Sequence, residues 1–311
     1  MSDDESDYSD TPSFDSCEDY INFESIRNPS TQLEEAISFS WPGIYEDDEG
    51  IDNHDRGEGG AKEKKLRKIV VSTLLEEEDL APLFDGSRWA GTRLWGAAVR
   101  GIQYVSGHLP GTEVSLMDHG IKLPTKDDKV TMLELGCGLG VPAMIYHMLG
   151  GDVVLTDQID ILSQLEKNVD SNFPQTAITS ISRNNKNSSG ESDINKQPTI
   201  QAMPLSWSRT DINGLLQEVG RSKIGFDIVI NCDCVYEPLY GKSWHLLNET
   251  IDELLKVNPQ CVVLSSMERR AADGIDNFLE EMRNMKNVGS VERVWFEEGR
   301  KIEIYITRGT S

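Results

Sequence analysis

No run of apolar residues in this chain approaches the ~20 needed to cross a membrane as a helix. The opening MSDDESDYSD has neither the basic start nor the apolar core of a signal peptide. Cysteine is scarce: the five present, an odd number without framework spacing, fit a reducing compartment. Cys232 and Cys234 form a C-x-C pair, but no second pair or histidine cluster accompanies them, so they read as structural or wall-lining residues, with no metal site. Positive charge is also in short supply, with 30 Lys and Arg against 53 Asp and Glu and a net charge of −23 over 311 residues. Such a chain repels a phosphate backbone, which disfavours nucleic acid as a partner and leaves basic proteins open. These absences predict a soluble intracellular protein, cytoplasmic first and nuclear second, with no membrane contact.

The negative charge is concentrated at one end. Residues 1–60 carry 18 acids and 2 bases, net −16, which leaves −7 for the rest. The stretch 1–65 therefore reads as a disordered acidic extension that adds little to a core and could serve a basic partner. Within it SFSWPGIY, residues 38–45, is an apolar island, either a short docking motif or a strand end or incidental cluster in the tail. The run KEKKLRK at 62–68 is either a nuclear-import patch or a solvated approach to the first strand.

From residue 66 to 311 the elements alternate, and this region is the expected domain. RKIVVSTLL reads as a strand and TRLWGAAVRGIQYV as a helix with Leu94, Ala98 and Ile102 on one face. KVTMLEL, DVVLTD, TIQAMPLSW, FDIVINCD and CVVLSS read as strands separated by helices, and VERVWFEEGRKIEIYITR as a closing hairpin turned at EEGR. Residues 183–198 are polar and rich in Asn and Ser, a loop insertion. The predicted fold is α/β: a mostly parallel sheet with helices on both faces and an antiparallel C-terminal hairpin.

The stretch LELGCGLG, residues 133–140, places glycines at Gly136, Gly138 and Gly140 in a strand-to-helix turn. This is G-x-G-x-G, whereas a dinucleotide fingerprint wants its third glycine where Val141 stands. Asp157 ends the next strand about 20 residues on, where an acid can accept hydrogen bonds from ribose hydroxyls. Close backbone N–H groups suit a carboxylate, and Glu134, two residues before the first glycine, suits an ammonium. An adenosine bearing an amino acid tail satisfies all three, which points to S-adenosylmethionine. The bland alternative is a glycine turn that merely joins strand to helix. Trp207, at a strand end, reads either as an adenine-stacking ring or as core. Asp233 reads either as a functional carboxylate or as a helix cap.

The ordered set GTRLWGAA, LELGCGLG, LTD, LSW and CDCVYEPLY resembles the DxxY-bearing protein-lysine methyltransferases, a family with a seven-strand Rossmann-like fold. Asp233-Cys234-Val235-Tyr236 matches the DxxY motif, and the resemblance covers about residues 66–308. It implies cofactor contacts at Trp95, Gly136, Cys137, Gly138, Asp157, Trp207 and Cys232. It also implies catalytic roles for Asp233 and Tyr236, with Tyr236 lining a channel for the acceptor lysine of a non-histone protein such as a chaperone or translation factor. The prolines of a D/N-P-P-Y/F base-methylating signature are absent, their places held by Cys234 and Val235. The alternatives are a small-molecule or nucleic-acid methyltransferase on the same sheet, and an inactive scaffold.

Overall fold

The computed structural model describes residues 23–27, 34–46, 65–73, 90–109, 119–125, 128–174 and 198–310. It begins with a small antiparallel sheet of β1 (Phe23–Arg27), β2 (Glu34–Tyr45) and β3 (Leu66–Ser72). After α1 (Gly96–Val105) come β4 (Thr131–Leu135), α2 (Val141–Met148), β5 (Asp152–Asp157), α3 (Ile159–Asn172), β6 (Ile200–Pro204) and α4 (Arg209–Glu218). Then follow β7 (Ile228–Cys232), the single-turn α5 (Glu237–Tyr240), α6 (Trp244–Val257), β8 (Val262–Glu268), α7 (Ile275–Arg283), β9 (Val288–Glu297) and β10 (Ile302–Gly309).

The main sheet has the order β6-β5-β4-β7-β8-β10-β9, with β10 antiparallel to both β8 and β9 and the other pairs parallel. This is the mostly parallel sheet with a terminal hairpin that the alternating pattern predicts. Its strands are short apolar runs because both faces are covered. Met132, Ile230 and Leu264 pack with Ile102 of α1, Met144 of α2 and Leu165 of α3 on one side. Leu133, Val229 and Val263 pack with Ile212 of α4, Leu247 of α6 and Phe278 of α7 on the other. The chain winds outward from β4 to β6 and returns to β7 on β4's other flank, so strand order reverses between β4 and β7. Ligands of such sheets bind beyond the strand carboxyl ends at this reversal.

The expectation of disorder over residues 1–65 is corrected for 23–27 and 34–46. Ile37, Phe39 and Trp41 of β2 alternate with Ser38 and Ser40, and their side chains, with those of Ile69 and Val71 from β3, join the core against the main domain. Trp41 and Phe39 are each 1% exposed. The apolar island is thus a strand rather than a docking motif. The free edge of β3 is closed by amides of α3. Asn172 accepts from Val70 N–H at 3.1 Å and donates to Val70 C=O at 2.6 Å, and Asn168 accepts from Ser72 N–H at 2.8 Å. An edge whose backbone groups are already bonded no longer offers a template for another strand. Of the basic run at 62–68, the described residues 65–68 enter this sheet, with Lys65 paired to Glu46 at 2.9 Å and Lys68 to Glu24 at 2.7 Å. The polar insertion at 183–198 lies, except for Pro198, outside the described residues.

Candidate active site

The glycine turn follows β4 directly. Gly136 (φ 62°) and Gly138 (φ 52°) take left-handed backbone that L side chains rarely adopt. A Cβ at position 136 would meet Cys234 Sγ at 2.8 Å and Trp207 Cζ2 at 3.0 Å. Glycine is therefore needed there for space as well as for conformation. The turn is tied to β5 by Cys137 N–H, which donates to Thr156 C=O at 3.0 Å, and by Gly138 N–H, which donates to Asp157 Oδ2 at 2.7 Å. Asp157 Oδ1 accepts from Gln158 N–H at 2.7 Å.

Glu134 sits in β4 and is 1% exposed. Its Oε2 accepts from Ala143 N–H at 2.9 Å, in the first turn of α2, where helical N–H groups have no partner within the helix. Burial pushes its pKa up to about 8; the bond from Ala143 opposes this and the charge of Asp157 adds to it. Burial also raises Asp157, against the two backbone N–H bonds that it accepts. The site thus holds two acids whose ionised forms a nearby cation would stabilise.

The eight expected cofactor contacts, Trp95, Glu134, Gly136, Cys137, Gly138, Asp157, Trp207 and Cys232, together with Asp233, line one cavity of about 420 Å³. That volume lies within the range of ligand sites. Acids outnumber bases on its wall, with Asp160 joining Glu134, Asp157 and Asp233 against Arg93. The left-handed glycines that admit close backbone approach, the half-engaged Asp157 and the buried Glu134 fit a cationic nucleoside with an ammonium-bearing tail. Cys234 also lines the cavity, and its thiol donates to Leu135 C=O at 3.2 Å, pinning the segment after β7 to the end of β4. Burial raises the pKa of Cys137, Cys232 and Cys234, so these thiols stay protonated.

Asp233 follows β7 in a left-handed conformation (φ 56°), and its N–H donates to Ser266 C=O at 2.8 Å. Oδ1 accepts from Glu268 N–H at 3.0 Å and Oδ2 from Arg270 Nη2 at 2.7 Å. The helix-cap alternative is corrected: α5 is entered through Tyr236, and the Asp233 carboxylate is bonded to β8 and the loop after it. Tyr236 is not among the residues lining this cavity. The aromatic residue lining the cavity from this segment is Tyr240, one helical turn further on. Tyr236 lies instead with its ring 5.5 Å from the Arg270 guanidinium.

Sequence reasoning missed Arg270, Glu268 and Tyr240. The signal for the first two was the charged run MERR directly after the buried strand CVVLSS, because β8 neighbours β7 and its carboxyl end opens on the same side. For Tyr240 it was a second tyrosine four residues after Tyr236, one helical turn on.

A family model for lysine methyltransferases matches residues 75–285. Secreted RxLR effector protein 48 of Plasmopara viticola is 39% identical over 141 residues, 45% of this chain and 64% of that one. EEF1A lysine methyltransferase 3 of Xenopus tropicalis is 30% identical over 188 residues, 60% of this chain and 67% of that one. Protein N-lysine methyltransferase METTL21A of Danio rerio is 27% identical over 174 residues, 56% of this chain and 64% of that one. The matches thus span about two thirds of the length of these curated relatives.

Proposed function

Because the chain belongs to the lysine methyltransferase family and has its Rossmann-like seven-strand fold, we propose that it transfers a methyl group from S-adenosylmethionine to a lysine amine of a non-histone protein. The observation that carries this reading is a shared wall: Asp233 at the end of β7 lines the same cavity as the glycine turn and Asp157. The names of two relatives favour a protein target, one of them EEF1A. Among the described residues no helix is long and apolar enough to cross a membrane. The free thiols of Cys137, Cys232, Cys234 and Cys261 suit action in the reducing cytoplasm.

When bound, S-adenosylmethionine supplies a methyl group already activated by its sulfonium. Gly136 and Gly138 let the backbone approach it. Asp157 uses two of roughly four carboxylate acceptor positions on backbone N–H groups and keeps the others for ribose hydroxyls. Glu134 would hold the cationic tail, and Trp207 would offer its ring to the adenine.

The amine is the harder problem. A lysine of pKa about 10.4 is neutral in roughly one part in two to three thousand at pH 7, a deficit of about 4 to 5 kcal/mol. A cavity wall of Trp95, Cys232 and Tyr240 desolvates the ammonium and lowers that cost. The neutral nitrogen would attack with its lone pair and lose its surplus proton to water, while the bound S-adenosylmethionine would supply the methyl carbon and take back the bonding pair at sulfur. Asp233, anchored at Oδ1 by Glu268 N–H, orients the amine through Oδ2. Burial raises the Tyr240 phenol, which stays protonated and available for hydrogen bonding.

Purified protein incubated with methyl-labelled S-adenosylmethionine and a cell lysate, then resolved on a gel, tests the reading. One labelled protein band is expected. Label confined to nucleic acid or small molecules would replace the substrate class, and no label at all would favour a scaffold.

A further inference from the structure

The guanidinium of Arg270 is held on several sides. Its Nη2 donates to Asp233 Oδ2 and to Glu268 Oε2, each at 2.7 Å. Its Cζ stands 5.2 Å from the Trp95 ring centroid and 5.5 Å from that of Tyr236. Two carboxylates and two aromatic faces form the chemistry that recognises an organic cation, and a protonated lysine is such a cation. Trp95 and Asp233 line the cofactor-sized cavity, whereas Arg270 lines a second, open recess with Arg269, Asp273, Asp276, Asn277 and Lys301. Arg270 therefore stands on the partition between the cavity and the surface, and its side chain is 22% exposed.

We propose that Arg270 is a built-in occupant of the acceptor-lysine position, and that a substrate lysine arriving through the outer recess displaces it from Asp233, Glu268, Trp95 and Tyr236. The proposal rests on the methyltransferase reading above. Arginine suits this duty because its guanidinium stays protonated and has no free lone pair, so it can fill a methyl-accepting position without being methylated. It also keeps Asp233 and the half-buried Glu268 paired while no substrate is present; an unpaired carboxylate as buried as that of Asp233 would otherwise oppose folding. Tyr236, absent from the cavity wall, acquires a role as one face of this cation site.

The test replaces the inert cation by a reactive one. Purified Arg270→Lys, incubated with methyl-labelled S-adenosylmethionine and no added target, should acquire a methyl group at position 270, found by peptide mass spectrometry. Its rate should be independent of protein concentration, as expected of transfer within one chain. A variant that binds S-adenosylmethionine as the parent does, yet carries no methyl at position 270, overturns the proposal while parental labelling of a lysate protein leaves the functional reading standing. Absence of labelling by the parent overturns both. As a second measurement, n-butylammonium should raise the melting temperature of Arg270→Ala more than that of the parent, because it enters the vacated position; equal shifts in the two proteins contradict the proposal.

Discussion

Oδ2 of Asp233, on the cavity wall at the end of β7, lies 2.7 Å from Nη2 of Arg270. The carboxylate is 3% exposed and fixed at its other oxygen by Glu268 N–H. A carboxylate so anchored at Oδ1 can direct, from Oδ2, the lone pair of an amine that takes the place of Arg270. Asp233→Asn keeps the size and one acceptor oxygen while removing the charge. It should lower single-turnover methyl transfer by about 10- to 1,000-fold, roughly 1.4 to 4 kcal/mol, with little change in S-adenosylmethionine affinity by calorimetry. Parental rates in this variant would return Asp233 to a purely structural role.

Asp157→Ala should weaken S-adenosylmethionine binding by roughly 1.5 to 3 kcal/mol, about 10- to 150-fold in Kd, through loss of a charged acceptor. The same change frees Gly138 N–H, so the melting temperature must be recorded beside the calorimetry. An unchanged Kd in a folded variant removes Asp157 from the cofactor site.

Glu134 carries a pH signature. Its folded pKa of about 8 lies above the 4.5 of the free group, so the folded state holds a proton that the unfolded chain releases earlier. Stability should therefore fall as pH climbs from about 4.5 to about 8, by a few kcal/mol at most. Glu134→Gln, which can still accept from Ala143 N–H, should flatten that fall. Denaturant titrations of the cofactor-free protein at pH 5 and pH 8 decide it; identical slopes in parent and variant would mean that Glu134 is ionised throughout.

Trp41→Ala should destabilise the fold by about 3 to 5 kcal/mol, because it removes a large side chain only 1% exposed. Denaturant unfolding measures this. A loss below about 1 kcal/mol would show that the small N-terminal sheet folds apart from the main core.

The site divides by sequence distance in how well it can be read. Gly136, Gly138 and Asp157 were legible because a strand, a tight turn and the next strand form one local pattern, and spacing alone brings the acid back to the turn. Asp233 was legible from its strand end and motif, but its neighbour Arg270 comes from 37 residues away, across β8, and no local period announces that contact. Tyr236 and Tyr240 differ by one turn of a four-residue helix, too short for a hydrophobic pattern to show which ring faces the cavity. In the N-terminal stretch, charge averaged over 60 residues masked the alternation of Ile37, Phe39 and Trp41 with serines, which is a strand's period. The main sheet was legible throughout, since strands buried on both faces appear as apolar runs between amphipathic helices.

One measurement reaches the central claim, that this cavity delivers a methyl group to a lysine. Protein preloaded with methyl-labelled S-adenosylmethionine is mixed with a cell lysate for a single turnover, and the labelled protein is hydrolysed to amino acids and separated by chromatography. The label should co-elute with Nε-methylated lysine and drop at least 10-fold when Asp233→Asn replaces the parent. Label on another amino acid, or in the nucleic-acid or small-molecule fraction, would contradict the account.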